Sequence, residues 1–278
     1  MFRIDLAALC AAACLLAPLA ARAQTLPPEI AASKVVHVAL NADYPPLELK
    51  DPKTGEPTGF DIELGNAMAK VLGVKMDWQD GAFEQMSPSL QSGRVDMIMS
   101  GFYDLPKRRG NFDFIDYLIA GAQFYAPKAN TDIKSVTDLC GQTITTSRGT
   151  NFPDTTKAWS DKNCVAAGKP PLTVITDTDL GQQLSNLKQG RAVAAVQGLE
   201  AVPTIVEMDG NAYRPLGEPF SATLMGIAFT KADPTLRDAF VYALKAVIAD
   251  GTYATLIKKW KLDLSAYTKV TLNEGPAP

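Results

Sequence analysis

Apolar positions along this chain fall into three patterns, and each predicts a different kind of segment. The first has no period. Leu6–Ala20 is almost wholly Leu, Ala and Cys, behind a short start that carries Arg3. At about 15 residues it is short of the roughly 20 that a membrane-spanning helix needs. Ala21-Arg22-Ala23 follows, with small residues at the two positions a signal peptidase reads. Residues 1–23 are therefore expected to be a secretory signal peptide, cut after Ala23.

The second pattern alternates or runs briefly apolar. It predicts strands at Val35–Leu40, Lys75–Trp78, Val95–Met99, Asp113–Tyr117, Ala122–Ala126, Thr143–Thr146, Leu172–Ile175, Ala192–Gln197 and Met225–Phe229. The third repeats at helical spacing. Phe60, Leu64, Ala67, Met68, Val71 and Leu72 share one face, with Asp61 expected as the N-cap and Gly73 as the stop. Further helices are predicted over Phe83–Gln91, Asn151–Lys162, Leu180–Gln189, Leu199–Met208 and Thr252–Lys259. A longer one is capped by Asp233 with Pro234 at its first position. Its stripe of Leu236, Phe240, Ala243, Leu244, Val247 and Ile248 ends at Gly251. Strands and helices thus alternate in two successive runs. That order predicts an α/β protein of two lobes, each a parallel sheet with helices on both faces.

Composition then removes several function classes. In 278 residues, 27 Lys and Arg nearly balance 30 Asp and Glu, for a formal net charge of -3. Such a surface has no long-range attraction for phosphate polymers, so no nucleic-acid partner is expected. The single histidine, His37, sits in a strand pattern, where a structural role is expected. After the leader only Cys140 and Cys164 remain, so no zinc site is expected. In an oxidising compartment that pair is expected to be a disulfide. No P-loop, dinucleotide fingerprint, nucleophile elbow or H-E-x-x-H motif occurs, and no cofactor is expected. An exported two-lobed α/β chain without catalytic signatures points to a cleft that grips a small ligand.

Gly59-Phe60-Asp61-Ile62-Glu63-Leu64, with Ala67 and Met68 on the same face, resembles the signature of the family 3 extracellular solute-binding proteins. These are the polar amino-acid group that delivers ligands to ABC importers. Ala42-Asp43-Tyr44-Pro45-Pro46-Leu47 resembles their first ligand loop. Leu90 to Asp96, followed by Ser100-Gly101, resembles their L-x-x-G-x-x-D block. Ser147-Arg148-Gly149-Thr150 resembles the second-lobe loop, and Gly251-Thr252-Tyr253 through Lys259-Trp260 the closing element. The resemblance covers nearly all of the chain beyond the leader. It implies a type II periplasmic-binding-protein fold, two α/β lobes joined by two crossover strands. Lobe 1 would hold residues 24–122 and 230–278, lobe 2 residues 128–224, with crossovers at 123–127 and 225–229. Two crossings make a hinge, which ligand closes like a clamp.

The same resemblance implies a site. Arg108 sits seven residues after Gly101, as the family's carboxylate-binding arginine does, and a guanidinium fork matches a carboxylate in two parallel bonds. The neighbouring Arg109 is the competing candidate. Ser100 and Gly101 would face the ligand, Gly101 offering backbone groups with no Cβ in the way. Thr150 would present a hydroxyl and an N–H to the carboxylate at a helix N-terminus. Tyr44 and Phe83 would sandwich the ligand or pack in the core. Tyr103 stands where the family often has Ser or Thr, which suggests a smaller pocket or a stacking surface. In the family an aspartate after the second-lobe strand usually takes the ligand's α-ammonium, and the matching position here is Gly198. Gln197 accepts a hydrogen bond but supplies no charge, and Glu200 is the nearby acid. The ligand is then a carboxylate lacking that amine, or an amino acid whose amine is held by Glu200, Asp43 or another acid.

The resulting expectation is a monomeric periplasmic binding protein. It captures a small carboxylate-bearing solute and passes it to an ABC permease in the inner membrane without chemistry. Two alternatives stay open. One is an enzyme on the same scaffold, like the family's cyclohexadienyl dehydratases, with Asp104, Glu84 or Glu200 as general acid. The other is a binding module that signals to a membrane receptor.

Overall fold

A computed structural model describes residues 25–275, so the expected signal peptide lies outside the described residues. The chain starts with α1 (Pro28–Ser33) and β1 (Val35–Leu40), then a small antiparallel sheet of β2 (Asp43–Tyr44), β3 (Glu48–Lys50) and β4 (Pro57–Thr58). Next come α2 (Phe60–Leu72), β5 (Lys75–Asp80), α3 (Phe83–Gln91), β6 (Met97–Ile98) and β7 (Phe112–Ala120). The middle of the chain forms β8 (Ala122–Pro127), β9 (Thr143–Ser147), α4 (Phe152–Asn163), β10 (Thr173–Asp177), α5 (Leu180–Lys188), β11 (Ala194–Gly198), α6 (Val202–Asn211) and β12 (Tyr213–Leu216). The chain then returns through β13 (Thr223–Thr230) to α7 (Thr235–Ala249) and α8 (Thr252–Lys259).

Two five-stranded sheets organise the two lobes, in the orders β5-β1-β6-β13-β7 and β10-β9-β11-β8-β12. They are mixed rather than wholly parallel. β5, β1 and β6 run together, as do β10, β9 and β11, but β13 is antiparallel to β6 and β7, and β8 is antiparallel to β11 and β12. Strand–helix alternation foretells only the parallel units; the two strands by which the chain enters a sheet from the other lobe, β8 and β13, run against them.

Those strands also correct the expected crossovers. Residues 123–127 lie in β8, hydrogen-bonded into the second sheet, and 225–229 lie in β13, paired with β7 in the first. The chain actually crosses at Gly121 and again between Leu216 and Thr223. The two crossings touch. Ala122 N–H donates to the Ser221 hydroxyl at 2.9 Å and Phe220 N–H to the Ala122 carbonyl at 2.8 Å. A Cβ on Gly121 would lie 2.1 Å from the Ser221 carbonyl oxygen, so only glycine allows this approach.

The helical stripe of α2 buries Phe60, Leu64 and Met68, and α7 buries Phe240, Ala243, Leu244 and Val247 against the same sheet. Each large side chain contributes roughly 1.5–3 kcal/mol. Phe60 stacks on Tyr117 and meets Tyr253 edge-on, at centroid distances of 6.4 and 6.0 Å. Asp61 is not the N-cap of α2; Gly59 holds that position, and Asp61 is buried with both oxygens toward the Tyr117 hydroxyl at 2.9 Å. The acid faces inward because it is one residue past the helix start, on the core side. Likewise Pro234 is the N-cap of α7, and Asp233 accepts the Thr235 N–H from one residue further out. The small β2–β4 sheet and β12 had no periodic signal, being two to four residues long.

Cys140 and Cys164 form a disulfide that ties the end of α4 to the loop before β9. Closing a loop of 24 residues' separation stabilises by roughly 3 kcal/mol on the chain-entropy account. Replacing both cysteines by serine should lower the urea midpoint by a matching amount, with an unchanged far-ultraviolet spectrum of the folded state. An unshifted midpoint would show that this bridge adds no stability.

Candidate functional site

The two sheets leave a cleft between the lobes. Lobe 1 supplies Asn41, Asp43 and Tyr44 from the end of β1 and from β2, Phe83 from the start of α3, and Ser100, Gly101, Tyr103 and Arg108 from the loop after β6. Lobe 2 supplies Ser147, Arg148, Thr150, Asn151 and Phe152 around the start of α4, Thr178, Asp179 and Leu180 at the start of α5, and Gln197 from β11. Strand ends and helix starts converge there because parallel β-α units place their connecting loops on one edge of each sheet.

Arg108 decides the electrostatics. Its guanidinium lies 3.9 Å from the centroid of Phe102 and 5.8 Å from that of Phe83. Its Nη1 donates to the Tyr103 carbonyl at 2.9 Å. No carboxylate among the described residues pairs with it. Burial pulls its pKa down to about 10, so it stays charged at neutral pH. The neighbour, Arg109, is committed elsewhere, with Nε 2.6 Å from the buried Asp104. The two arginines are thus sorted by their partners, and Arg108 is the one that faces the cleft.

Thr150 accepts the Phe152 N–H at 3.1 Å and donates to the Ser147 carbonyl at 2.8 Å, holding the turn that opens α4. Gln197 donates to the Ser147 hydroxyl at 2.9 Å and to Gln183 at 3.1 Å. Beneath the floor, Ser100 takes the Asn41 N–H at 2.9 Å and donates to Glu48 at 2.8 Å. Gly101 N–H donates to Asp61 at 3.3 Å. Glu48 and Asp61 are both buried. Burial, and then the facing Asp61, push Glu48 well above the usual carboxylate range.

Eight of the nine expected ligand residues line this cleft: Tyr44, Phe83, Ser100, Gly101, Tyr103, Arg108, Thr150 and Gln197. Glu200 does not. Its carboxyl folds back over Gly198, and one oxygen accepts both the Tyr44 and the Tyr103 hydroxyls at 2.7 Å. A Cβ on Gly198 would stand 2.1 Å from that oxygen and 2.1 Å from the Tyr44 hydroxyl. The space a side chain at 198 would enter is therefore filled by Glu200 and Tyr44. Sequence reasoning missed Asn151, Phe152 and the Thr178–Leu180 turn. Asp179 reads as an ordinary N-cap, which it also is, accepting the Gln182 N–H at 2.7 Å.

Several bonds join the lobes. Besides the two tyrosines on Glu200, Leu180 N–H donates to Asp43 at 2.6 Å and Arg148 meets Glu84 at 2.8 Å.

The family model for bacterial extracellular solute-binding proteins, family 3, matches residues 36–263. The chain belongs to this family. An arginine-binding protein of Corynebacterium glutamicum is 29% identical over 254 residues, spanning 91% of this chain and 83% of that protein. An L-cystine-binding protein of Escherichia coli K12 is 29% identical over 225 residues, spanning 80% and 81%. Among solved structures, an ancestral amino acid-binding protein described as a precursor of cyclohexadienyl dehydratase superposes with a TM-score of 0.72. It is 31% identical, covering 84% of this chain and 97% of that one. The two-lobed periplasmic-binding-protein fold of the family is the fold described above.

Within this family member, Glu200 makes stability depend on pH. Burial pushes its carboxyl up from an ordinary 4.5 to about 7, against the tyrosine hydrogen bonds that lower it. The folded state then holds this proton more tightly than the unfolded chain. The stabilisation is fully present below about pH 4.5 and falls as pH rises through about 7. Glu200→Gln removes that slope. Urea titrations at about pH 5 and about pH 8 should show the native protein losing roughly 2–3 kcal/mol relative to the variant, at about 1.36 kcal/mol per unit. Parallel profiles would mean that Glu200 ionises as an ordinary surface acid does.

Proposed function

We propose that this protein is the substrate-binding component of an ABC importer. It captures a small carboxylate-bearing solute, an amino acid or a related organic acid, in the periplasm and delivers it to an inner-membrane permease. The observation that carries this reading is Arg108, a cleft-facing guanidinium on an aromatic shelf with no acid partner among the described residues. A carboxylate completes it with two charge-assisted bonds, each contributing roughly 1.5–3 kcal/mol. Thr150, whose hydroxyl proton goes to the Ser147 carbonyl, adds its backbone N–H at the start of α4, where the helix dipole favours anions. The named relatives that bind arginine and cystine support an amino acid or a close derivative.

Capture requires the solute to bind the closed lobes better than the open ones. The arrangement supports this. Tyr44, Phe83 and Arg108 come from one lobe, Thr150 and Gln197 from the other, and the hinge is the pair of touching crossings at Gly121 and Ser221. A bound solute would bridge the two walls and hold the hinge shut.

One observation favours a second reading. Burial raises the Glu200 carboxyl to about 7, the range a general acid needs, and a solved neighbour is described as a dehydratase precursor. Against it, the carboxyl lies behind Tyr44 and Tyr103 rather than on the cleft wall. Incubation with prephenate, followed by absorbance, separates the two readings.

Arg108→Ala should weaken binding of the natural solute at least about 100-fold in titration calorimetry, as expected for losing two charge-assisted bonds. Binding unchanged by that substitution would refute the carboxylate role of Arg108.

A further inference from the structure

We propose that Arg109 and the segment 271–275 act together as a positioning device, which holds the Asp104 carboxylate off Arg108 and so keeps the cleft guanidinium open for a solute. This deepens the reading above and rests on Arg108 as the carboxylate anchor.

Asp104 is an acid placed to neutralise Arg108. Arg108 Nη1 donates at 2.9 Å to the Tyr103 carbonyl, and the peptide bond of that carbonyl leads directly into Asp104. Standard peptide geometry puts that nitrogen within about 6 Å of the Asp104 Cα. A change of Asp104 rotamer can carry its carboxyl across such a gap.

Two groups hold the carboxyl elsewhere. One oxygen accepts Arg109 Nε at 2.6 Å, the other accepts the Gly275 N–H at 2.8 Å, and the residue is fully buried. Gly275 is itself delivered by a segment tied along β7. The Thr271 hydroxyl donates to Asp116 at 2.8 Å, and Leu272 pairs antiparallel with Ile115. Asn273 accepts the Phe114 N–H at 2.9 Å and donates to Asp113 at 3.0 Å. The segment reaches Asp104 so closely that a Cβ on Gly275 would stand 2.3 Å from the Asp104 carbonyl oxygen.

The local charges show what would happen without this device. Arg109 is the one cation bonded to Asp104 among the described residues. Asp116 is a close neighbour. Burial, with the charge of Asp104 adding to it, raises the Asp116 carboxyl to about 7. Stripped of Arg109, Asp104 would be a buried carboxylate facing a second acid, a costly state that pairing with Arg108 relieves. Arg108 paired in that way offers a solute no open charge. Arg109 and the segment thus act on the solute only through Asp104, by occupying it.

The test uses a bare carboxylate as its probe. Sodium acetate is titrated into the isotope-labelled protein at constant ionic strength, and the Arg108 Nε–H resonance, assigned by its loss in Arg108→Lys, is followed by NMR. Arg109→Ala should weaken acetate binding at that resonance at least about tenfold. Adding Asp104→Asn, which keeps the shape and removes the charge, should restore it to within about twofold of the native protein. Gly275→Val, which forces the segment away from Asp104, should weaken binding in the same direction and be rescued by the same substitution. Damage of a merely structural kind is not reversed by Asp104→Asn, so weakening without rescue overturns the proposal. Acetate binding unchanged in both Arg109→Ala and Gly275→Val overturns it too. The two levels separate cleanly. No acetate-dependent shift of Arg108 in the native protein removes the carboxylate anchor, and the proposal with it, whereas an Arg108 that binds acetate regardless of positions 109 and 275 removes only the positioning device.

Discussion

A guanidinium half-buried in a cleft, stacked on Phe102 and with no acid partner among the described residues, is the constraint on which the site is built. Water solvates such a charge in the open state; closing the lobes strips that water away and must replace it. The desolvation is visible as a pKa pulled down to about 10. Everything near Arg108 works to keep it unpaired by protein. Asp104 is occupied by Arg109, and Glu84 is drawn across to Arg148 on the other lobe. On the proposed function, leaving the charge open would make closure conditional on a solute that carries the missing carboxylate.

The second feature follows from how the lobes meet. Tyr44 and Tyr103, both from lobe 1, reach the same oxygen of Glu200 on lobe 2. That contact closes the back of the cleft and uses the one acid placed at the end of β11. Because the chain has glycine at 198, Glu200 can fold over the backbone into the space a side chain would take. The tyrosine at 103, the glycine at 198 and the glutamate at 200 are therefore one device. Changing any of them alone exposes either a clash or an unmet polar group.

Much of this was legible in the sequence, and the limits have physical causes. Helical stripes such as Phe60–Leu72 and Leu236–Ile248 were clear because burial of one face imposes the 3.6-residue period on the chain. The disulfide was clear because only two cysteines follow the leader. Arg108 was marked by its spacing from Gly101, and the structure shows why Arg109 does not compete, through a buried acid, Asp104, whose partner no spacing reveals. The crossovers were misplaced because β8 and β13 are apolar both as sheet strands and as links, so hydropathy carries no mark of where one sheet ends. Asp61 read as a cap because an acid at a helix start usually is one; its burial against Tyr117 depends on a residue 56 positions away. The fate of Glu200 was likewise hidden, since it is settled by two tyrosines from the other lobe.

The most direct measurement is a crystal structure of the protein with the small acid that binds it most tightly. The arrangement predicts density for a carboxylate bridging both terminal nitrogens of Arg108, at about 2.7–2.9 Å, with the lobes closed over it. A ligand whose carboxylate lies elsewhere, with Arg108 turned onto a protein acid, would contradict the account.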